Sequence, residues 1–461
     1  MKKSLIIWAW EAWHQLFNLI KEKETVVWFL DDFKTWEKII WKIEDCFDIC
    51  DNDEWINKIY FAIPSIEGKQ ILNKIIKYSN KKNIEVKIIP SIIDIIEGNV
   101  KTNYIRDVKF EDLLFRPIRK SNIETAKSFF KWKIVLVTWA AWSIWSELVK
   151  QLYLYWADKI IWIDHSELWI FNQMKKYWLL TWKWKNIDNK LFFHIKSIRD
   201  EEWLDYIFKK YKPDVVFNAA AYKHVYQMEL NPDETFKTNI IWLDNVIKVS
   251  MNNNVKYFCQ ISTDKAVNPT NIMWASKRIW ELLIQYYSNS QNKMKLNAVR
   301  FWNVLWSSWS VLTIFNEQIK KWEDITVTHK DVVRYFMSIE EAVNLVITST
   351  TLDQNWKIFV LDMWNPIKIY DLAKKFIELS NAKWINIKII WLKPWEKLYE
   401  ELILDKKNDL KTNIDKIFIV EDNWNLDNIL SKIDKIKWIY NKQIILDKYK
   451  EIIPEFSHIN R

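Results

Sequence analysis

Glycine is almost missing from this chain, whose 461 residues include 2 glycines and 32 tryptophans. Glycine normally makes up about 7% of residues, and the two counts together, 34 of 461, restore that share. Tight turns need a residue that accepts positive φ, and glycine is the residue that does so without steric cost. A globular fold of this length therefore cannot form its turns with two glycines.

Two interpretations account for the tryptophans. One is a protein rich in aromatic side chains that fill cores or stack on bases or sugars. The other is a reassigned stop codon that means glycine and has been read as tryptophan. The tryptophans follow strand-like runs, stand beside Ala and Ser, and recur in the Trp-x-Trp-x-x-Trp spacing of residues 8–13. An indole in such a loop would block the backbone, so we interpret most tryptophans as glycine positions.

Cysteine, long apolar runs and blocks of like charge are also scarce. Cys46, Cys50 and Cys259 are too few for a disulfide framework and lack a second Cys/His pair for zinc, so we expect buried thiols, no metal site and a cytoplasmic protein. No run reaches the roughly 18 apolar residues of a membrane span. The apolar start, residues 1–13, has no small-residue cleavage site and is interpreted as strand, turn and helix.

The charge balance is basic but evenly mixed, with 68 Lys and Arg against 59 Asp and Glu, a net charge of +9. Lysines alternate with acidic residues along most of the chain, which argues against nucleic-acid binding. A modest basic excess suits anionic small molecules such as nucleotides.

The order of apolar runs predicts an α/β protein with two doubly wound, parallel-sheet (Rossmann-like) domains. Strands alternate with helical stretches at residues 4–7, 26–30, 58–62 and 86–89, and again at 133–137, 160–163, 215–217, 257–260 and 298–301. We place an N-terminal domain at residues 1–122, a second domain at 123–405 whose smaller substrate-binding region begins near 313, and a C-terminal extension at 406–461. A polar linker is expected around residues 101–127.

The loop after the strand at 133–137 has the spacing of a dinucleotide-binding loop. With tryptophan read as glycine, residues 138–145 become T-G-x-x-G-x-x-G between a strand and a helix. This predicts cofactor contacts from Thr138, Trp139, Trp142, Ser143, Ile144 and Trp145. Asp164 ends the next strand, where a carboxylate would bind the adenosine ribose and favour NAD over NADP. The alternative is that Asp164 only caps a helix.

A similar loop at residues 8–13 precedes Asp31 and Asp32. Its spacing leaves open whether the first domain binds a nucleotide, because a fold alone does not confer function.

The clearest motif runs from Ser262 to Arg278. It matches S-T-D-K-A-V-N-P-T-N-x-M-G-A-S-K-R except that Trp274 stands at the glycine. In this run the chain resembles the extended short-chain dehydrogenases, and among them the CapD-type polysaccharide-biosynthesis proteins that act as UDP-N-acetylglucosamine 4,6-dehydratases. Residues 219–225, 299–310, 327–337 and 392–401 extend the likeness, although Asn218 replaces a usual His and Lys393 a usual Arg.

The resemblance implies NAD-dependent oxidation at C4, loss of water across C5 and C6, and return of the hydride to C6. It assigns Lys265 as the base at C5, provided that burial, Lys277 and the nicotinamide lower the lysine's pKa. It assigns Asp264 as the acid at C6, Thr263 as a hydrogen-bond partner of O4, and Lys277 as a ligand of the nicotinamide ribose. Met273 stands where most relatives have Tyr and cannot accept a proton, so the first oxidation must use Thr263, Asp264 or water. This replacement resembles the dehydratases that retain C5 configuration.

The family positions also predict further binding residues. The cofactor set adds Ala219 and Ala220, and the UDP-sugar set comprises Lys223, His224, Asn303, Arg334, Lys393, Glu396 and Lys397. A surface ion pair is the alternative for Arg334. We expect a homo-oligomer that acts in surface polysaccharide or glycan biosynthesis. The alternatives are a sugar-nucleotide 4- or 5-epimerase on the same scaffold, or a non-catalytic nucleotide-binding protein, which Met273 favours.

Overall fold

The fold was derived from a computed structural model of the chain. The residues that the structure describes are 3–7, 25–30, 39–41, 45–53, 55–61, 66–88, 106–107, 123–139, 143–181, 189–291, 293–305, 310–352, 354–361, 366–380, 382, 384–393, 396–400, 409–412, 417–420 and 426–458. The chain divides into two compact units: residues 1–118, 317–325 and 371–388 form one, and residues 119–316, 326–370 and 389–461 form the other. The loop at residues 8–13 and the pair Asp31 and Asp32 lie outside the described residues.

The first unit contains a six-stranded sheet in the order β3-β2-β1-β4-β5-β6. Neighbouring strands run parallel except β5 and β6. The strands are β1 (Lys3–Ile7), β2 (Thr25–Leu30), β3 (Ile39–Trp41), β4 (Ile56–Phe61), β5 (Glu85–Ile88) and β6 (Arg106–Asp107), and the helices are α1 (Cys46–Asn52) and α2 (Ile66–Lys82). Cys46 and Cys50 are buried free thiols in its core, as expected.

The second unit is built on a nine-stranded sheet in the order β20-β21-β17-β12-β11-β10-β7-β8-β9. Its strands are β7 (Ile134–Thr138), β8 (Lys159–Asp164), β9 (Leu191–Ile195), β10 (Val215–Asn218), β11 (Tyr257–Thr263), β12 (Lys295–Phe301), β17 (Lys357–Leu361), β20 (Asp409–Lys411) and β21 (Ile417–Val420). The seven strands from β9 to β17 are parallel, and β21 and β20 add antiparallel pairs at the edge. The predicted class, two doubly wound and mostly parallel sheets, is confirmed.

Short strands and helices complete the described chain. The short strands are β13 (Asn303–Val304), β14 (Ile325–Val327), β15 (Val333–Arg334), β16 (Phe336–Met337), β18 (Ile367–Lys368) and β19 (Ile387–Ile389). The helices are α3 (Ile123–Phe130), α4 (Ser143–Leu154), α5 (Glu167–Thr181), α6 (Glu201–Tyr211), α7 (Val225–Leu230), α8 (Pro232–Phe236), α9 (Trp242–Asn252), α10 (Ile272–Ser290), α11 (Val311–Lys320), α12 (Ile339–Thr351), α13 (Ile369–Leu379), α14 (Ile429–Asp434) and α15 (Lys442–Ile452), with a π-helical turn at Lys237–Ile241 and a 3₁₀ turn at Asp264–Ala266.

The central strands of the second unit follow from their sequence. Val135, Leu136 and Val137 are fully buried on both faces of the sheet, as a continuous apolar run between two helix layers requires. Ser338 precedes α12 and forms a capping box with Glu341. The Ser338 hydroxyl accepts the backbone N–H of Glu341, and the Glu341 carboxylate accepts the backbone N–H of Ser338. The predicted linker is partly wrong, because residues 123–127 open α3, whose Ala126 and Phe130 are buried.

Tryptophan occupies an unusual backbone conformation in this fold. Among the described residues, ten other than glycine have positive φ, and five of them are tryptophans: Trp132, Trp139, Trp156, Trp322 and Trp356, with φ between 49° and 66°. Four of the remaining five are Asn, which tolerates this region far better than a bulky side chain does. These five positions are ones that favour glycine, which supports the codon interpretation.

Candidate active site

A buried ladder of polar side chains crosses the carboxyl ends of three central strands. The Thr138 hydroxyl donates to Asn218 Oδ1 at 2.6 Å, and Asn218 Nδ2 donates to Gln260 Oε1 at 2.8 Å. The backbone N–H of Ala219 donates to Thr138 Oγ1 at 3.1 Å. An amide at position 218 serves both neighbours, because it accepts on one side and donates on the other. The ladder joins Thr138 and Ala219 at the edge where doubly wound sheets bind ligands, and Ala220 is buried behind it.

The indole of Trp139 lies across this edge. Its ring centroid is 5.4 Å from that of His165, which follows β8, and 6.1 Å from that of Tyr222, which follows β10. Trp139 has a φ of 49°, so both its backbone and its position are those of a glycine that lets phosphates approach. The polar edge suits a dinucleotide, whereas the Trp139 indole stands at the position that the loop pattern reserves for glycine.

The helix after the loop begins where the sequence predicts. Ser143 and Ile144 open α4, while Trp142 lies outside the described residues. Trp145 is 6% exposed and stacks on Phe301 with ring centroids 6.1 Å apart. Its indole therefore packs into the core between helix and sheet, where the loop pattern calls for a small residue.

Asp164 ends β8 and is 1% exposed. Its Oδ1 accepts the backbone N–H of Ser166 at 2.9 Å, just before α5. The carboxylate is thus in the place that a ribose-binding residue needs, and it also makes the local contact that the capping alternative predicts.

The Thr263, Asp264 and Lys265 side chains form one cluster at the end of β11. The Thr263 hydroxyl donates to Asp264 Oδ1 at 2.8 Å, and Lys265 Nζ lies 3.0 Å from Asp264 Oδ2. The 3₁₀ turn Asp264–Ala266 allows the Asp264 carboxylate and the Lys265 amine to contact each other although the two residues are adjacent in sequence. Lys265 Nζ also lies 2.7 Å from Glu400 Oε1.

The ionisation of this cluster differs from the expectation for Lys265. Burial would lower the pKa of Lys265, but the carboxylates of Asp264 and Glu400 outweigh it and raise that pKa. The lowered pKa on which the base role of Lys265 was conditional is therefore not found, because the two carboxylates raise it. Burial raises the pKa of Asp264, and the Glu400 charge adds to the rise although Lys265 opposes it. This shift agrees with the role of an acid.

Glu400 is a site residue that the sequence prediction missed. Its side chain is 3% exposed and lies 3.2 Å from Arg334 Nε. Asn303 Nδ2 donates to Glu400 Oε2 at 3.2 Å, and Asn303 Oδ1 accepts from Lys265 Nζ at 3.3 Å. The carboxylate thus connects the base candidate to two residues predicted to bind UDP. Glu400 stands inside the matched run 392–401, but no local pattern brings it to a lysine 135 positions earlier.

Met273 and Lys277 lie on α10, one turn apart. Met273 is 7% exposed and packs with Met228 and Trp274, so no proton acceptor stands at this position. Lys277 Nζ lies 3.4 Å from the ring centroid of Trp280. Burial, together with the charge of Lys223, lowers the pKa of Lys277 well below its ordinary value.

A cavity of about 240 Å³ lies beside this cluster. Its walls are Val225, Lys265, Trp274, Thr328, Arg334, Lys393, Glu396, Lys397 and Glu400. It brings together four of the predicted substrate residues and the base candidate, whereas Lys223 and His224 are exposed outside its walls. Small-molecule sites usually measure about 300–1,000 Å³, and the indole of Trp274 occupies the wall where the matched motif has glycine.

Residues 135–422 match the family model described as polysaccharide biosynthesis protein. The chain belongs to that family. The capsular polysaccharide biosynthesis protein CapD of Staphylococcus aureus is 39% identical over 77% of this chain, and the match spans 58% of the CapD length. UDP-glucose 4-epimerase of Rickettsia canadensis is 34% identical over 46% of this chain and 62% of its own.

Among solved structures, Pen from Bacillus thuringiensis is similar, with 30% identity, a TM-score of 0.58, and coverage of 63% of this chain and 90% of its own. Within the described part of the chain, no helix is both long and apolar enough to cross a membrane. The same residues contain no group of His, Cys, Asp or Glu that could hold a metal ion.

Proposed function

We propose that the glycine form of this chain is a cytoplasmic, NAD-dependent 4,6-dehydratase of a UDP-N-acetylhexosamine, UDP-N-acetylglucosamine being the best candidate, and that it serves surface polysaccharide biosynthesis. The observation that carries the proposal is the contact of Lys265 with the buried acid Asp264 beside a cavity walled by Arg334, Lys393 and Lys397. An amine and a raised-pKa carboxylic acid side by side are the base and acid that elimination of water requires.

The cations of the cavity support an anionic, phosphate-bearing substrate. Arg334 Nη2 lies 3.3 Å from Glu396 Oε1, and Lys397 Nζ donates to the Val267 carbonyl at 3.4 Å. A bound diphosphate would compete with Glu396 for the guanidinium, which offers two parallel N–H groups to such oxygens. Lys393 offers a point charge at the same wall.

The cluster can move the protons of the reaction. When bound, NAD would accept a hydride from C4 and return it to C6. Thr263 would pass the O4 proton along its 2.8 Å hydrogen bond to the carboxylate of Asp264. Asp264 would then deliver that proton to the C6 hydroxyl, which leaves as water, while Lys265 in its unprotonated form takes the C5 proton and later returns it to the same face. Because Asp264 and Glu400 raise the pKa of Lys265, this form is the minor one at neutral pH, and turnover should rise with pH. Each group ends in the state in which it began, and C5 keeps its configuration.

A 4-epimerase is the second candidate, because the Rickettsia canadensis protein similar to this chain carries that name. Epimerisation at C4 needs neither a base at C5 nor an acid at C6. The contact of Asp264 with Lys265 therefore favours elimination.

The test uses the chain with glycine at the tryptophan positions interpreted as glycine, incubated with NAD and UDP-N-acetylglucosamine. A 4-keto-6-deoxy product supports the proposal, and a 4-epimer without loss of water contradicts it. Lys265→Ala should abolish the product while the UDP-sugar still binds. Lys293→Ala, which removes an exposed lysine, is the matched control and should keep full turnover. Unchanged turnover in Lys265→Ala would refute the role given to this residue.

A further inference from the structure

The last segment of the chain, Lys442–His458, lies beyond the residues matched by the family model and reaches the catalytic motif. The backbone N–H of Ser457 donates to the carbonyl of Pro269 at 3.2 Å, between the 3₁₀ turn and α10. Tyr449 and Phe456 are at most 2% exposed and belong to the core that α10 also fills. The segment therefore packs as part of the scaffold behind the active site.

A second contact is made through Glu229 on α7. Glu229 Oε1 accepts the backbone N–H of Ile272, the first residue of α10, at 2.8 Å. Its other oxygen lies 3.0 Å from Lys442 Nζ and 2.8 Å from His458 Nε2. The first N–H groups of a helix have no partner within it, so this carboxylate stabilises the start of the helix that carries Met273. The C-terminal segment in turn fixes the carboxylate from two sides.

A third contact runs through a series of paired charged side chains that starts at the half-buried Glu455. Glu455 Oε1 lies 3.1 Å from Arg278 Nε, and Arg278 Nη1 lies 2.7 Å from Glu281 Oε2. Glu281 also accepts two hydrogen bonds from Arg300 at 2.8 Å each and one from the Ser262 hydroxyl at 2.8 Å. Ser262 directly precedes Thr263. Glu455 is thus connected through side chains to both ends of the motif 262–278.

We propose that the C-terminal segment holds the catalytic motif in place, with Glu229 and Glu455 as positioning residues. Neither touches the cavity that would hold the substrate. Glu229 acts through the first turn of α10, and Glu455 acts through Arg278 and Glu281. Loosening either contact should misalign the Lys277 and Lys265 side chains relative to the substrate. It should leave unchanged the part of the cavity wall made by Arg334, Lys393 and Lys397, which lie on other segments of the chain. The kinetic signature is a lower kcat with an unchanged KM.

The experiment compares Glu229→Ala, Glu229→Gln and Glu455→Ala in the full-length glycine form. Losing a helix-start acceptor corresponds to roughly a tenfold effect, so kcat should fall about tenfold in Glu229→Ala while KM stays within about twofold. Glu229→Gln keeps an oxygen that accepts from Ile272 and should recover most of the loss. Glu451→Ala is the matched control, since Glu451 lies on the same segment and its carboxylate pairs with Lys448 on the same helix. It should behave as the parent.

The kinetic measurement rests on the proposed function, so hydrogen exchange at the amides of residues 272–277 is measured in parallel and needs no turnover. Faster exchange there in Glu229→Ala, at an unchanged melting temperature, is the expected result. If the parent shows no turnover but this exchange pattern holds, the function fails and the positioning role stands. Parent-like exchange and kcat in both Ala variants would overturn the role. A uniform loss of stability that Glu229→Gln does not rescue would also overturn it.

Discussion

Replacing Trp132 by glycine should stabilise the protein. Trp132 follows α3 with a φ of 66°, and its side chain is 71% exposed with Lys131 Nζ 5.7 Å from its ring. The left-handed conformation costs a residue with a Cβ about 1–2 kcal/mol. Glycine removes that cost but adds about 0.5–1 kcal/mol of backbone entropy. The net gain is therefore expected to lie between zero and about 1.5 kcal/mol.

Trp438→Gly is the matched control. Trp438 is 73% exposed, and Lys437 Nζ lies 5.8 Å from its ring, but its φ is not positive. The substitution loses the same exposed ring and the same cation contact, and it adds the same entropy. Trp132→Gly should thus be more stable than Trp438→Gly by about 1–2 kcal/mol, since only the left-handed cost differs.

The measurement is thermal unfolding followed by circular dichroism, with denaturation by urea as a second readout. A difference of 1–2 kcal/mol should separate the two melting temperatures by about 1.5–3 °C in a unit of roughly 300 residues. Equal melting temperatures, or a lower one for Trp132→Gly, would refute the argument from backbone strain.

Further predictions follow from the same structure. Mass spectrometry of the protein from its own source should find glycine at position 139, and an intact tryptophan there would end the codon interpretation. Trp139→Gly in the tryptophan form should raise affinity for NAD at least about tenfold, or 1.4 kcal/mol, in calorimetry, whereas Trp132→Gly should not. In the glycine form, Glu400→Gln should lower the raised pKa of Lys265, so that the rise of kcat with pH occurs at lower pH. Glu396→Gln is the control. An unchanged pH dependence of kcat in Glu400→Gln would contradict the link between Glu400 and Lys265. Burial would raise the pKa of Glu281, but Arg300 and Arg278 hold it at about 2. Its contribution to stability is therefore present above the ordinary pKa of about 4.3 and is lost as pH falls towards 2. Glu281→Gln should cost about 3–5 kcal/mol at neutral pH, because it leaves buried arginines unpaired, and a loss below 1 kcal/mol in urea denaturation would count against this network.

Nine strands of the two sheets could be predicted because their signal is local: β1, β2, β4, β5, β7, β8, β10, β11 and β12. The strands β3, β6, β9 and β17 were not predicted. The run Ile134–Val137 is apolar without interruption and became a central strand, and the alternation of strands with helices fixed the parallel class. The antiparallel strands β20 and β21 were not predicted. They are 3 and 4 residues long, and such short segments carry no period that separates them from a loop.

The part of the site whose residues are adjacent in sequence could be predicted. Thr263, Asp264 and Lys265 follow one another, so the motif alone was enough to predict that their side chains lie together at the end of β11. Glu400 could not be placed in this way, because its contact with Lys265 depends on how the chain returns after β19. The raised pKa of Lys265 was missed for the same reason, since a second carboxylate decides its direction.

The left-handed tryptophans have a consequence for making this protein in the laboratory. If the codon read as tryptophan is a stop codon reassigned to glycine, a host with the standard genetic code ends synthesis at the first tryptophan of the sequence, Trp8. A host that inserts tryptophan reads through these positions, and its product carries the Trp139 indole at the edge proposed to bind the cofactor and the Trp274 indole in the wall of the cavity. A synthetic gene that spells these positions as glycine is then the recombinant route to the enzyme that its own cell translates.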